Sequence, residues 1–512
     1  MKKVLFLSIL MALSGAIFSQ EPASTLQSAA PAQASTLQSA APAPQSSLGP
    51  KVFSVVASPA ENTTHSMNLS WATAKEIKEA VLEIAPAAAR RSSAKHNCLE
   101  RSRAKHSCLE RSSAKHSCLE RSRDAAEISR WAKSFSRTCT GTFCTTYDSV
   151  YSKTAKGEDF YENVKINKFN ETVTGLKKNT LYKYRVIAGG DTSGTHYFKT
   201  GGTKEWSACI ISDFHVYSPL YGRTKAAMEM IETIREAEPG FDFILHLGDI
   251  TAWGGSYSFW QNLYKEKPFE EYMWAGVNGN HDNMTRGYHR TTNEFFRDAA
   301  AYPHNGYGNE MGVCYYFKHG NVLFIMLNNE SMKTDEGLKE AQQWVRKVVN
   351  ENPSGYKIVC EHYQWFYGET GKTSQFGRWN ELFDELGIDL ALGANNHIYV
   401  STHPIFNGNP VSKGNTQANG KPVCTGNTQA NGKPQTNGTV YIQTTSSDNE
   451  RGVECDLAKP LEFNADKIKF RWSEGAQTVS GMYMKVSKKK LTLVLLNRNG
   501  EMLDTTEIHA KK

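Results

Sequence analysis

The 512 residues are enough for two or three domains of ordinary size. The formal charge of +7 suggests an acidic partner, but residues 90–123 hold ten Lys and Arg against three Glu, which is the whole surplus. The remainder is balanced and carries no basic stripe with interleaved aromatics, so nucleic acid is not expected as a partner.

The N-terminus, MKKVLFLSILMALSGAIFSQ, sets Lys2 and Lys3 before an apolar run from Val4 to Phe18. That run falls short of the roughly 20 residues of a spanning helix and predicts a cleavable export signal over 1–19. A periplasmic, secreted or cell-surface protein, free of the membrane after cleavage, is the expectation. Residues 20–48 follow as a linker of Ala, Ser, Pro and Gln, in which ASTLQSAAPA occurs at 23–32 and again at 34–43.

From 49 to 200 the segments KVFSVVAS, SMNLSWAT, AVLEIA, NVKINKF and LYKYRVIAG are short, rich in β-forming residues and separated by turn residues. That pattern predicts an all-β sandwich, with Tyr182, Tyr184 and Val186 on one face. Residues 90–123 interrupt it with three near copies of RSSAKHNCLE, each bearing a His-x-Cys pair (His96 and Cys98, His106 and Cys108, His116 and Cys118). None of the intervals fits a zinc finger or ribbon, so the repeat reads as an insertion. Among the ten cysteines, Cys209 and Cys360 lie in apolar runs where a thiol packs as a small hydrophobe, and Cys139 with Cys144 is the pair to test for a bridge.

From 203 to 512 the pattern becomes α/β, broken by a loop at 408–437 that contains GNTQANGKP twice. SACIIS, FDFILHL, YMWAGV, YKIVCEH and IDLALG read as strands, CYYF and VLFIMLN as a hairpin, and TKAAMEMIETIREA, LKEAQQWVRKVVNE and RWNELFDELG as helices. Strands alternating with helices imply a largely parallel central sheet, whose chemistry belongs at the carboxyl ends of its strands.

Ligand-type residues stand at those ends. The first strand runs into Asp213 and His215, the next into Gly248 and Asp249, the next into Gly279, Asn280, His281 and Asp282, a later one into His362, and the last into ANNH with Asn395 and His397. One such residue is more often a cap; five in succession point to a metal site.

The order D-x-H, G-D, G-N-H-D, H and A-N-N-H resembles the calcineurin-like metallophosphoesterases over roughly 205–460, with closing strands in MYMKVSKKKLTLVLLNRNGEMLDTTEIH. SWAT, LKKNTLYKYRV and VCEH are similar to purple acid phosphatases and their fibronectin-III-like N-terminal domain. The resemblance implies a four-layer α/β metallophosphoesterase sandwich preceded by an all-β fibronectin-III-like sandwich. It implies an exported, acid phosphatase-like hydrolase of phosphomonoesters, with diesters as the second class and a small phosphate ester as partner. Asp213, His215 and His397 would hold a first divalent ion, Asp249 would bridge and be essential, and Asn280 and His362 would hold a second, with Fe, Mn or Zn as candidates. A bound hydroxide would attack phosphorus while His281, whose imidazole ordinarily titrates near 6.5, donates to the leaving group. Asn280, His281 and Tyr363 would touch substrate. Trp253, Tyr363, Trp365 and Phe366 follow the ligand blocks and are candidates to line the substrate mouth, with core packing the alternative for Trp365.

Two departures follow from the same comparison. Ala252 stands where purple enzymes carry a tyrosine ligand and His215 where they carry glycine, so no tyrosinate colour is expected. Asn395 replaces a second-site histidine; an amide oxygen holds a borderline ion less well than imidazole, so the second site is expected to be weakened toward Mn²⁺ or Mg²⁺. The rival reading is a catalytically impaired surface or binding protein on the same scaffold.

Overall fold

A computed structural model describes residues 51–87, 134–150, 160–202, 204–218, 220–286, 290–411 and 438–510. The expected signal at 1–19, the linker at 20–48, the repeat insertion at 90–123 and most of the repeat loop at 408–437 lie outside the described residues. No helix among the described residues is long and apolar enough to cross a membrane.

The first nine strands form two facing sheets. One has β1 (Val52–Pro59), β2 (Met67–Ala74), β5 (Thr142–Val150) and β6 (Phe160–Val173) in the order β1-β2-β6-β5. The other has β3 (Glu79–Pro86), β4 (Phe135–Thr140), β7 (Leu181–Ala188) and β8 (Asp191–Thr192) in the order β4-β3-β7-β8, with β9 (His196–Lys199) beside β7. Period-two alternation buries Tyr182, Tyr184 and Val186 on the inner face of β7. Trp71 stacks on Phe169 at 5.1 Å within the core of this region.

Two of these strands, β4 and β5, follow the insertion and were not among the segments the sequence pattern singled out. They also correct the expected pairing of Cys139 with Cys144. Cys139 lies on β4 against β3, Cys144 on β5 against β6, and the two face different apolar clusters, so both thiols are free.

The α/β region contains two mixed sheets, as the four-layer sandwich implied by the resemblance requires, whereas strand–helix alternation alone suggested one largely parallel central sheet. In the first, β10 (Trp206–Ile211), β11 (Phe243–His246) and β12 (Met273–Gly276) run parallel, and β22 (Ser480–Val486), β23 (Lys490–Asn497) and β24 (Met502–His509) return antiparallel on the other side of β10. In the second, β14 (Val322–Met326), β15 (Tyr356–Cys360), β16 (Leu390–Gly393) and β20 (Val440–Gln443) are parallel. Hairpin partner β13 (Tyr315–His319) flanks them at one edge, and β17 (Tyr399–Thr402) and β21 (Ile468–Trp472) at the other. A small hairpin, β18 (Ile405–Phe406) with β19 (Asn409–Pro410), lies off the sheets. The β13–β14 hairpin opens the second sheet in mid-segment, and the closing strands β22 to β24 return to complete the first.

Aromatic side chains fill the space between those sheets: Phe243 meets Phe324 at 5.7 Å and Phe324 stacks on Phe317 at 4.7 Å. Full burial of each such ring contributes roughly 2–3 kcal/mol. Helices cover the outer faces. Met230 and Ile234 of helix Gly222–Ala237 pack where Gly481 of β22 leaves room beside Ile211. Val345 and Val348 of helix Asp335–Glu351 and Trp379 and Phe383 of helix Phe376–Leu386 pack on the second sheet. Thr334 caps the former by accepting Gly337 N–H at 3.1 Å, and Gly387, at φ 62°, ends the latter in the left-handed conformation glycine favours. The result is helix, sheet, sheet, helix, with the carboxyl ends of β10, β11, β12, β15, β16 and β20 opening on one cleft.

Candidate metal centre

The turns after β10, β11, β12, β15 and β16 bring Asp213, His215, Asp249, His281, His362 and His397 together, and the backbone is bent to allow it. Among the described residues nine non-glycine positions have left-handed φ, and five of them are Asp213 (53°), His215 (44°), Asp249 (53°), Asn395 (62°) and His397 (58°). Such backbone costs of order 1–3 kcal/mol per residue and concentrates where function demands it. Two glycines make the approach possible. A Cβ on Gly279 would meet Asp249 N at 2.1 Å, and one on Gly248 would meet the His362 ring at 2.5 Å.

Asp249 Oδ2 sits between two imidazoles, 3.3 Å from His215 Nε2 and 3.3 Å from His362 Nε2. Asp213 Oδ1 lies 3.1 Å from His397 Nε2. Three overlapping groups, Asp213 with His215 and His397, His215 with Asp249 and His281, and Asp213 with Asp249 and His362, each bring their donor atoms within 4.8 Å of one another. Asp213 Oδ2, His215 Nε2, His362 Nε2 and Asn280 Oδ1 are buried with no hydrogen-bond partner. Orphaned oxygen and nitrogen donors that converge in this way fit divalent cations, which satisfy several such atoms at once.

The rings are oriented from behind. His215 Nδ1 donates to Asp448 Oδ2 at 2.9 Å, His362 Nδ1 to the Leu247 carbonyl at 2.8 Å, His281 Nδ1 to the Ala252 carbonyl at 2.8 Å and His397 Nδ1 to the Arg451 carbonyl. With Nδ1 carrying the hydrogen, Nε2 is the atom offered to the centre in every case. His281 N–H also donates to Asp249 Oδ1 at 2.9 Å, tying two of the expected site residues directly together.

Charge reinforces geometry. Burial would raise Asp249, but His362 and His281 outweigh it and hold the carboxyl well below its ordinary range; Asp213 is likewise lowered, against burial, by His397. Burial would also lower His362, yet Asp249 carries it up to about 10. Burial lowers Asp282 ionisation the other way, pushing its carboxyl up to about 7 with Asp249 adding to the effect, while it accepts N–H bonds from Ile250, Thr251 and Gly279. His281 departs from expectation: burial brings it down to about 4, so the ring is neutral at pH 7 and not poised near 6.5.

The six expected residues Asp213, His215, Asp249, His281, His362 and His397 come together, and Asn280 Oδ1 joins them as an orphan. Asn395 shares their left-handed backbone, and its Nδ2 donates to Gln364 Oε1 at 2.7 Å. Tyr363 gives its hydroxyl to Glu330 at 2.7 Å, and Trp253 packs against His281 at 5.2 Å. Trp365 and Phe366 are fully buried in the second-sheet core, which removes them from the mouth: their backbone N–H groups are held by Gln443 Oε1 and their rings by Tyr441. Asp448 and Arg451 were missed. The polar run TTSSDNER directly after an apolar strand carried the same strand-end signal as the other blocks, but β20 follows the repeat loop and was not read as a strand.

Residues 208–399 match the sequence profile of the calcineurin-like phosphoesterase family. No protein of curated function matches the chain in sequence. In structure the chain is similar to purple acid phosphatase PPD1 from seeds of yellow lupin (Lupinus luteus), with a TM-score of 0.59 at 14% identity over 90% of this chain and 74% of that one. It is also similar to PhoD, with a TM-score of 0.49 at 11% identity over 92% of this chain and 94% of that one. At 14% identity the likeness to the lupin protein is one of fold.

Proposed function

We propose that this chain, which carries a calcineurin-like phosphoesterase domain over residues 208–399, is an exported hydrolase of phosphomonoesters, with diesters as a second class, working with two divalent ions. The observation that carries the reading is Asp249 Oδ2, set 3.3 Å from the Nε2 atoms of His215 and His362, both of which lack a hydrogen-bond partner. A carboxylate shared in this way suits two cations, and Asp213, His215 and His397 would hold one while Asn280, His362 and Asn395 would hold the other. When bound, such ions acidify water to a nucleophile and neutralise charge on the phosphoryl oxygens.

The chain's own residues supply the rest. His281, locked with Nδ1–H on the Ala252 carbonyl, has only Nε2 on which to carry a transferable proton. It acts as general acid in the protonated fraction, which burial confines to acidic pH. Trp253 flanks that ring and screens it from water on one side. Asn395 leaves the second site with an amide where an imidazole would bind zinc better, so this site favours harder ions.

The test is hydrolysis of an aryl phosphate by metal-stripped protein resupplied separately with Mn²⁺, Fe²⁺, Zn²⁺ and Mg²⁺. Turnover restored by at least one ion and reduced by about 10⁴-fold or more in Asp249→Ala is expected. Silence with every ion, alongside intact metal binding, would favour a binding protein on this scaffold.

A further inference from the structure

β14 runs parallel to β15 with Met326 opposite Cys360, so the turn that follows it, Asn328 to Glu330, comes out beside Glu361, His362 and Tyr363. Unlike Asn280 and His362, this turn leaves no buried side-chain atom without a partner. Its side chains are committed to their neighbours and not to an ion. Asn329 is buried, and its Oδ1 accepts the backbone N–H groups of His362 and Tyr363, both at 2.9 Å, while its Nδ2 donates to Glu361 Oε2 at 2.8 Å. Glu330 completes the hold on that block by accepting the Tyr363 hydroxyl at 2.7 Å.

The preceding residue, Asn328, is fully buried and engages the other ligand block. Its Oδ1 accepts Asn278 Nδ2 at 2.7 Å, and its Nδ2 donates to Glu310 Oε2 at 2.8 Å and to Asn293 Oδ1 at 3.2 Å. Asn293 Oδ1 also takes Asn283 Nδ2 at 3.1 Å, and Glu310 Oε1 takes Asn293 Nδ2 at 2.9 Å. The loop that carries Asn280 and His281 is therefore clasped at both ends, at Asn278 and at Asn283, by one network centred on Asn328. Two consecutive residues thus register both blocks against a single rigid point. Metal donors must be held within about 0.5 Å of their places. Asn395 offers only an amide, so in the two-ion reading the second ion depends on how firmly Asn280 and His362 are set.

We propose that Asn328 and Asn329 are positioning residues for the second ion: they fix the spacing of Asn280 and His362, and the ion is retained through them although neither asparagine touches it. The inference rests on the two-ion reading of the centre.

The experiment titrates the full-length, metal-stripped protein with Mn²⁺ by calorimetry and follows the spin coupling of the ion pair by electron paramagnetic resonance. Asn329→Ala is expected to weaken one of the two binding steps by about 10- to 100-fold and to leave the other within about two-fold. The coupled signal is lost at Mn²⁺ levels that fill both sites of the unaltered protein. Asn328→Ala, which releases the other block, weakens the same step. Asn329→Ser, one bond shorter and still polar, gives the same selective loss and serves where Asn329→Ala does not fold. The exchange of Asn329→Asp with Glu361→Gln keeps the net charge, the oxygen facing the two N–H groups and a hydrogen bond between the pair with its direction reversed. It recovers the second step to within about five-fold. Both steps within about two-fold of the unaltered protein in Asn329→Ala and Asn329→Ser, or both weakened equally, overturn the proposal. If the unaltered protein takes up fewer than two Mn²⁺ ions, the two-ion reading fails, and hydrogen exchange of the metal-free chain decides the brace. Exchange at the His362 and Tyr363 amides at least about 10-fold faster in Asn329→Ala supports it, and unchanged exchange overturns it.

Discussion

Two buried clusters in this molecule are built from the same residue types, and only one of them is finished. Where the N-terminal sheets meet the α/β region, His319 Nε2 lies 3.1 Å from Asp242 Oδ2, Lys199 Nζ donates to Asp242 Oδ1 at 2.5 Å, and His319 Nδ1 shares a hydrogen bond with Thr63 Oγ1 at 2.8 Å. Thr63 Oγ1 also donates a hydrogen bond to the Lys318 carbonyl at 3.0 Å, and no buried polar atom of the four side chains lacks a partner. At the strand ends, by contrast, Asp213, Asn280, His215 and His362 each keep a buried donor atom without a partner. Burial, histidine and aspartate are common to both; unsatisfied atoms converging on one point are not. The first arrangement is a fastening complete in itself, and the second needs something added.

The difference is exposed most strongly by removing the central carboxylate from each. Asp249→Ala is expected to abolish stabilisation by metal, which for a native-state ligand at 1,000 times its Kd amounts to about 4 kcal/mol. The measurement is urea unfolding with and without Mn²⁺, and an equal metal-induced gain in Asp249→Ala and in the unaltered protein would break the comparison. Asp242→Ala should behave in the opposite way. It strands Lys199 and the buried His319, costs about 3 kcal/mol whether or not metal is present, and leaves turnover per folded molecule unchanged. A cost below about 1 kcal/mol would mean that this cluster is no fastening.

How far these two clusters were legible in the sequence also differs. The grouping of polar residues at the candidate centre was legible because Asp213, Asp249, Asn280 and His362 all follow strand ends. Asp448 broke the pattern only because the repeat loop hid its strand. Nothing local marks the fastening: Thr63, Lys199, Asp242 and His319 lie far apart in the chain, in a turn, at the end of β9, ahead of β11 and at the end of β13. Their association depends on how the sheets pack, which strand periodicity does not encode. The division into two α/β sheets was implied by the family resemblance and not by strand–helix alternation, since β10 pairs with β22 across more than 260 residues. His281 illustrates a further limit: its presence at the site was readable, its depressed ionisation was not, because burial is a property of the packed molecule.

A third buried imidazole sharpens the contrast. Among the described residues His196, on β9, forms no ion pair with a carboxylate; burial lowers it to about 4, and its Nδ1 has no partner. Its folded pKa lies below the unfolded value near 6.5, so the unfolded chain binds more protons between those limits and stability is lost as pH falls from 6.5 toward 4. At about 1.4 kcal/mol per pH unit, His196 should account for about 3 kcal/mol of the acid sensitivity. His196→Phe, beside Tyr184 and Phe198, removes that term. Unfolding free energies at pH 7 and pH 4.5 that differ equally in the variant and the unaltered protein would contradict it.

The smallest change asks whether an orphaned atom alone makes a site. Thr63→Val keeps the shape of the side chain, which matters because a Cβ on Gly201 would already lie 3.1 Å from Thr63 Oγ1, but it deletes the hydroxyl and leaves His319 Nδ1 buried and unpaired. The expected loss is about 1–2 kcal/mol, the desolvation cost of one polar group, read by urea unfolding. The closed cluster then holds an unpaired nitrogen as the candidate metal centre does. It still faces no second free donor, since Asp242 remains engaged by Lys199 and by the other ring nitrogen of His319. Addition of Zn²⁺ should therefore give Thr63→Val no stabilisation beyond that of the unaltered protein. An extra gain would mean that a single unsatisfied imidazole suffices to recruit an ion, and that the convergence of Asp213, Asp249, His215 and His362 is not what distinguishes the centre.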